Sequence, residues 1–141
     1  KFSSLYLNLQ QPNGEFARNL KRSLSRSNVS LAENPFSGAI TVTPVLSVSA
    51  ERLNVQPVTV TPAARAAQYE IVMSVAISMT LGENSLIASE DLVIRRVYFE
   101  DTGNITGNLE EVEVIQSEMR RELVNQLLRR LEAVDPALLI L

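Results

Sequence analysis

The sequence predicts an α+β fold, with two helices packed on one face of a mostly antiparallel sheet of about four strands. Three observations lead there. From Tyr69 to Leu81 the large residues Tyr69, Ile71, Met73, Val75, Ile77, Met79 and Leu81 alternate with mostly small or polar ones, the period of a strand with one buried face. Between Val112 and Val134, the residues Ile115, Met119, Leu123, Leu127 and Leu131 recur at three or four positions, the period of an amphipathic helix. The elements follow the order strand, helix, strands, helix, and consecutive later strands favour helices on one side of an antiparallel sheet.

Taken in order, Leu5, Leu7 and Leu9 alternate with Tyr6 and Asn8, and Gln11-Pro12-Asn13-Gly14 ends this first strand in a turn. From Glu15 to about Asn28, Phe16, Leu20 and Leu24 share one side of a short helix, while Arg18, Arg22 and Arg26 form a stripe on another. Ser30 to Gly38 reads as a connection. The stretch to Thr61 is rich in Val, Thr, Ile and Ser and reads as irregular strand. Pro44 and Pro57 cannot donate to a ladder, so a strand through either lies at an edge or carries a bulge.

After Pro62-Ala63-Ala64 comes the long strand to Leu81, then a hairpin loop at Gly82-Glu83-Asn84-Ser85. Its partner runs from about Leu86 to Phe99. There Leu92 and Ile94 occupy one parity and Val97 and Phe99 the other, which predicts a bulge or a two-sided contact near Arg95-Arg96. Asn108, with Glu111 three residues on, has the pattern of a helix start, and Asp135-Pro136 a stop. The five apolar residues Ala137 to Leu141 are expected to dock or to mediate a contact.

The 141 residues are expected to form a single domain, 1–141. With 13 basic and 16 acidic residues the net charge is −3, which argues against a nucleic-acid binder relying on bulk positive charge. There is no His and no Cys, so thiol nucleophiles, disulfides, the usual zinc ligands and the commonest proton shuttle are all missing. No metal site, cofactor or catalytic group is predicted. The sequence opens at Lys1 rather than Met, so any signal peptide or lipid attachment site would lie upstream.

Several stretches together resemble one family. They are Asn13-Gly14 before the basic helix, Ala67-Gln68-Tyr69-Glu70 leading the alternating strand, Arg96-Val97-Tyr98-Phe99, and Gln116 to Leu131 with Glu118-Met119 and Gln126-Leu127. In order and spacing, over nearly the whole chain, they resemble the lipopolysaccharide-assembly lipoprotein family LptE. The resemblance implies two helices on a four-stranded sheet. It also implies a lipid-anchored protein on the periplasmic side of the outer membrane, seated in the lumen of an LptD-type β-barrel that delivers lipopolysaccharide to the cell surface. It further implies basic residues in contact with lipopolysaccharide before the strand at Tyr69 and before the last helix. Arg65 approximates the first, while Gly107-Asn108-Leu109 is neutral at the second.

Each candidate also has a plainer reading. Arg65 is either a phosphate contact or a solvated loop charge; Arg95 and Arg96, which as strand neighbours point to both faces, either meet lipopolysaccharide or leave one of them packing its stem at the core rim with its head in water. Arg18 and Arg22 are either a barrel-facing surface or simply the polar side of a helix. Ser74, Ala76 and Ser78 leave one sheet face thin, either for a partner to approach or for solvent. Glu110, Glu111 and Glu113 suit the first turns of a helix and are not read as a carboxylate pair. The competing functions are a free-standing periplasmic lipid-binding module, which needs an apolar pocket between helices and sheet, and a hydrolase, which lacks a GxSxG elbow.

Overall fold

The computed structural model describes residues 2–32, 43–60, 66–101 and 105–134. Within the described residues, six strands and two helices follow one another: β1 (Ser4–Leu9), α1 (Glu15–Arg26), β2 (Ser30–Leu31), β3 (Val45–Val48), β4 (Arg52–Val60), β5 (Ala66–Leu81), β6 (Asn84–Asp101) and α2 (Ile105–Glu132). Arg65, Asp135-Pro136 and the apolar segment Ala137 to Leu141 lie outside the described residues.

The 16-residue β5 is the spine of the sheet. β6 pairs antiparallel along one of its edges. Its other edge is shared, β3 pairing with Ile77 to Thr80 and β4 with Ala67 to Ser74, both antiparallel. Beyond β3 the sheet continues with β1 and then β2, and both of these new pairings are parallel. The sheet is therefore mixed and six-stranded, larger than the mostly antiparallel sheet of about four strands that the sequence predicts. The cause is α1, which carries the chain back from the end of β1 toward its start, so that the next strand must run in the same direction.

Where β3 gives way to β4, the edge of β5 is still satisfied. The Ser49 amide donates to the Ala76 carbonyl at 2.9 Å, and the Ala76 amide donates to Ser49 Oγ at 2.8 Å. The Ala50 amide donates to Gln10 Oε1 and the Glu51 amide to Gln11 Oε1, so side chains from the first turn replace ladder partners at this break. Pro57 lies in β4, next to a register shift between Pro57 and Thr59, as an edge strand with a bulge requires.

The β5–β6 hairpin turns on Gly82, whose φ of 60° suits a residue without a Cβ at the first of the two positions between the strands. Register then runs unbroken from Ile77 paired with Glu90 to Ala66 paired with Asp101, so there is no bulge near Arg95-Arg96. The shifts lie instead between Ile77 and Thr80, close to the turn. There the inward parity of β6 passes from Ile87 to Leu92, Ile94 and Tyr98, leaving Val97 and Phe99 on the outer face.

Helix α1 ends in a Schellman motif: the Val29 amide donates to the Leu24 carbonyl and the Asn28 amide to that of Ser25, with Asn28 at φ 62°. Helix α2 starts at Ile105, ahead of the Asn108 cap that the sequence suggests, so Asn108 lies within the first turn. The first N–H groups of a helix need no intrahelical partner, which makes a polar first turn permissible.

Phe16, Ala17, Leu20 and Leu24 of α1, Met119, Leu123, Val124, Leu127 and Leu131 of α2, and Ile71 through Leu81 of β5 at alternate positions are all buried. They form one core with Leu5 and Leu46. Both helices thus cover the large-residue face of β5. Helix α2 also runs along β6, where Arg96 pairs with Glu122, Gln126 Nε2 donates to the Val93 carbonyl at 3.4 Å, and Arg130 pairs with Glu90 at 2.5 Å. Positions 122, 126 and 130 form one stripe of a helix, so this ladder follows from the four-residue spacing.

Candidate partner-binding surfaces

The thin face of β5 is roofed. Ser74, Ala76 and Ser78 point away from the helices and are half-buried. Arg52 of β4 is paired in register with Ser74, and Asp91 of β6 with Ala76. Their side chains meet over the small residues between them, Arg52 Nη2 lying 2.9 Å from Asp91 Oδ1. A second ion pair, Arg95 with Glu70 at 3.1 Å, lies on the same face. Small residues on the central strand let long charged ones from the flanking strands bridge across it.

Beside this roof the outer face has two characters. Asn8, Gln10, Ser47, Ser49, Ser78 and Ser89, together with Val48, Ala76 and Ile77, line an open, uncharged depression of about 290 Å³. Toward the other end, Val93, Val97 and Phe99 of β6 are exposed, Phe99 by 68%. Sequence reasoning did not name these three as contact residues, although the parity break at Val97 and Phe99 signalled them. Edge strand β4 exposes Leu53, Val55 and Val58 as well. Leu53 and Val55 stand opposite the buried Met73 and Ile71, on the helix side of the sheet, and yet remain exposed.

The structure separates Arg95 from Arg96. Arg95 projects on the outer face, with its side chain 62% exposed, while Arg96 turns to the helix side and pairs with Glu122. Neighbouring strand residues point to opposite faces, so the two cannot share one ligand. Arg18 and Arg22 are exposed on α1, on the helix layer and so away from the thin sheet face. Arg18 Nη1 donates to the Asn13 carbonyl at 2.6 Å and Arg22 Nη2 to Asn19 Oδ1 at 2.7 Å.

Among the described residues, two small spaces lie under the helices. One, about 120 Å³, is lined by residues including Phe16, Val48, Glu51 and Arg120; the other, about 50 Å³, by Phe2, Leu5, Leu24, Val29, Leu128 and Leu131 among others. Pockets that enclose small molecules usually measure roughly 300 Å³ or more, so neither has the volume for an acyl chain. Among the described residues, no group of three or more Asp or Glu side chains is placed to hold a metal ion, and no helix is long and apolar enough to cross a membrane.

The described residues form a two-layer α+β fold with candidate contact faces on its helix and its sheet side. The chain belongs to the lipopolysaccharide-assembly family LptE, whose model matches residues 2–131. It is similar to the crystal structure of rare lipoprotein B from Shewanella oneidensis, with a TM-score of 0.79 and 24% identity, covering 92% of this chain and 94% of that one. It is similar also to a minor lipoprotein from Acinetobacter baumannii (TM-score 0.72, 17% identity, 92% and 90% covered). The solution structure of an uncharacterized lipoprotein B from Nitrosomonas europaea is a third likeness (TM-score 0.74, 18% identity, 94% and 84% covered). At these identities the three likenesses establish the fold. No curated protein matches the chain. Family membership assigns it a role in lipopolysaccharide assembly.

Proposed function

We propose that this chain is a non-catalytic plug and assembly support for an LptD-type outer-membrane β-barrel in lipopolysaccharide transport. It acts as a single domain on the periplasmic side of the outer membrane, held there by an N-terminal lipid anchor. The observation that carries this reading is the distribution of candidate contacts over opposed layers. Ser74, Ala76, Ser78, Val97 and Phe99 lie on the outer sheet face, and Arg18 and Arg22 on the helix layer. A partner that docks on one side meets one such face, whereas a barrel that surrounds the domain meets both.

Lipopolysaccharide contact in this reading falls to Arg65 and Arg95, with Arg96 braced against Glu122 and contributing to position more than to binding. The small volumes under the helices favour the plug over a free-standing lipid-binding module. Co-expression with the candidate barrel, detergent extraction and affinity purification tests the proposal. A stable one-to-one complex supports it, and a folded barrel that leaves this domain behind contradicts it.

A further inference from the structure

A second feature of the helix layer is a cationic groove between α1 and α2. Arg22 and Arg26 of α1 and Arg121 of α2 line a space of about 280 Å³ between the helices, together with Asn19 and Asn125. Among the described residues, none of these three guanidinium groups has a carboxylate within 4.0 Å. The neighbours of Arg121 differ in this respect, since Arg120 and Glu122 are both in ion pairs. Three like charges around one groove repel one another, and they do so in a chain whose net charge is −3. Such a cluster becomes favourable when a partner supplies the opposite charge.

The donors indicate what kind of anion fits. Asn19 to Arg26 and Arg121 to Asn125 lie inside helices, so their backbone N–H groups are already used and no backbone nest faces the groove. Only side chains bind there. Guanidinium forks flanked by side-chain amides, which both donate and accept, suit carboxylates spaced along a polypeptide better than one phosphate held by converging N–H groups.

We propose that the α1–α2 groove docks an acidic segment of a polypeptide partner. The proposal rests on the plug reading, in which that segment belongs to the barrel.

Hexaglutamate titrated into the whole chain, followed by NMR of the Asn side-chain amides and the Arg Nε–H groups, tests it directly. Saturable shifts are expected at Asn19, Arg22, Arg26, Arg121 and Asn125, with affinity falling severalfold as salt is raised through the range in which screening shortens to a few ångströms. The triple variant Arg22→Gln/Arg26→Gln/Arg121→Gln should bind about tenfold more weakly or worse, with an unchanged melting curve. No shift with the peptide, equal binding by the triple variant, or shifts with inorganic phosphate in place of the peptide would each overturn the proposal. In co-purification with the barrel, a wild-type complex that the triple variant forms equally well at every salt concentration rejects the groove and leaves the plug reading standing. If the wild-type chain itself fails to associate, the plug reading is lost, and the peptide titration still decides whether the groove takes an acidic polypeptide.

Discussion

Arg120 holds Glu51 through a paired contact, Nε to Oε1 at 2.7 Å and Nη2 to Oε2 at 3.1 Å. Its remaining nitrogen, Nη1, lies 2.9 Å from Oε2 of Glu15, the first residue of α1. One guanidinium on α2 thereby ties together α1 and the break between β3 and β4. The side chains of Arg120 and Glu51 are only 17% and 15% exposed, so this is the most sheltered of the ion pairs among the described residues. The hydrogen bond that Arg120 donates to the Glu51 carboxylate raises the Arg120 pKa above its ordinary value, against the opposing effect of burial.

Replacing Arg120 with Met should therefore cost about 2–3 kcal/mol in urea unfolding, because it leaves Glu51 sheltered without its cation. That is below the figure for a fully buried pair, since Glu15 and the rim of the site remain wet. A raised basic pKa contributes stability that is complete below the unfolded value and is lost only as pH climbs past the folded one. The difference between wild type and Arg120→Met should thus stay constant from about pH 7 to about pH 10, and a difference that collapses within that window would show that the guanidinium is not the group responsible.

Asn28 closes α1 in the left-handed region, where a Cβ is unfavourable and glycine is at ease. Asn28→Gly is expected to raise stability by up to about 1 kcal/mol, and Asn28→Val to lower it by more than that. Thermal melts of the two variants check the order.

The ladder between α2 and β6 should contribute less than its appearance suggests. Arg96 and Glu122 are each about two-fifths exposed, 41% and 42%, so a double-mutant cycle across them is expected to give a coupling of about 1 kcal/mol or less. Leu123→Ala, in the buried stripe of the same helix, should cost about 2–5 kcal/mol. A cycle showing the larger value at the ion pair would reverse this ranking.

On the outer sheet face, Ser78→Arg adds a bulky charge where the serine is half-buried and its neighbours are small. The isolated domain should melt within about 1 kcal/mol of wild type, because this face is not part of the core. Recovery with the barrel should fall severalfold. Unchanged recovery would remove the thin face from the contact surface.

Much of the fold can be read from the sequence because its strongest signals are local. Period-two alternation in β5 assigns every buried residue from Ile71 to Leu81, and the recurrence of Met119, Leu123, Leu127 and Leu131 gives the core stripe of α2. The parallel partners of β1 are not legible in this way. Leu5, Leu7 and Leu9 declare a strand, but nothing local declares that β3, some forty residues on, will lie beside it. Of the two readings of the parity change, a bulge or a two-sided contact near Arg95-Arg96, the bulge is absent there: the register shifts sit near the hairpin, and Val97 and Phe99 are exposed on the outer face.

The candidate sites were legible as residue types and not as arrangements. That Arg95 and Arg96 point to opposite faces follows from their being strand neighbours, but their partners, Glu70 for one and Glu122 for the other, come only with the fold. The thin face was visible, but the Arg52–Asp91 bridge over it joins residues on strands separated by β5 and is a property of the folded register alone. The groove between α1 and α2 likewise needs both helices in place before Arg121 joins Arg22 and Arg26.

The most direct test of the central claim is affinity purification of this chain co-expressed with its candidate barrel. The plug reading predicts a stable one-to-one complex that survives detergent extraction, with crosslinks reaching the barrel from both Ser78 on the sheet face and Arg22 on the helix layer. A normally folded barrel that emerges without this domain, or crosslinks confined to one of the two layers, would contradict it.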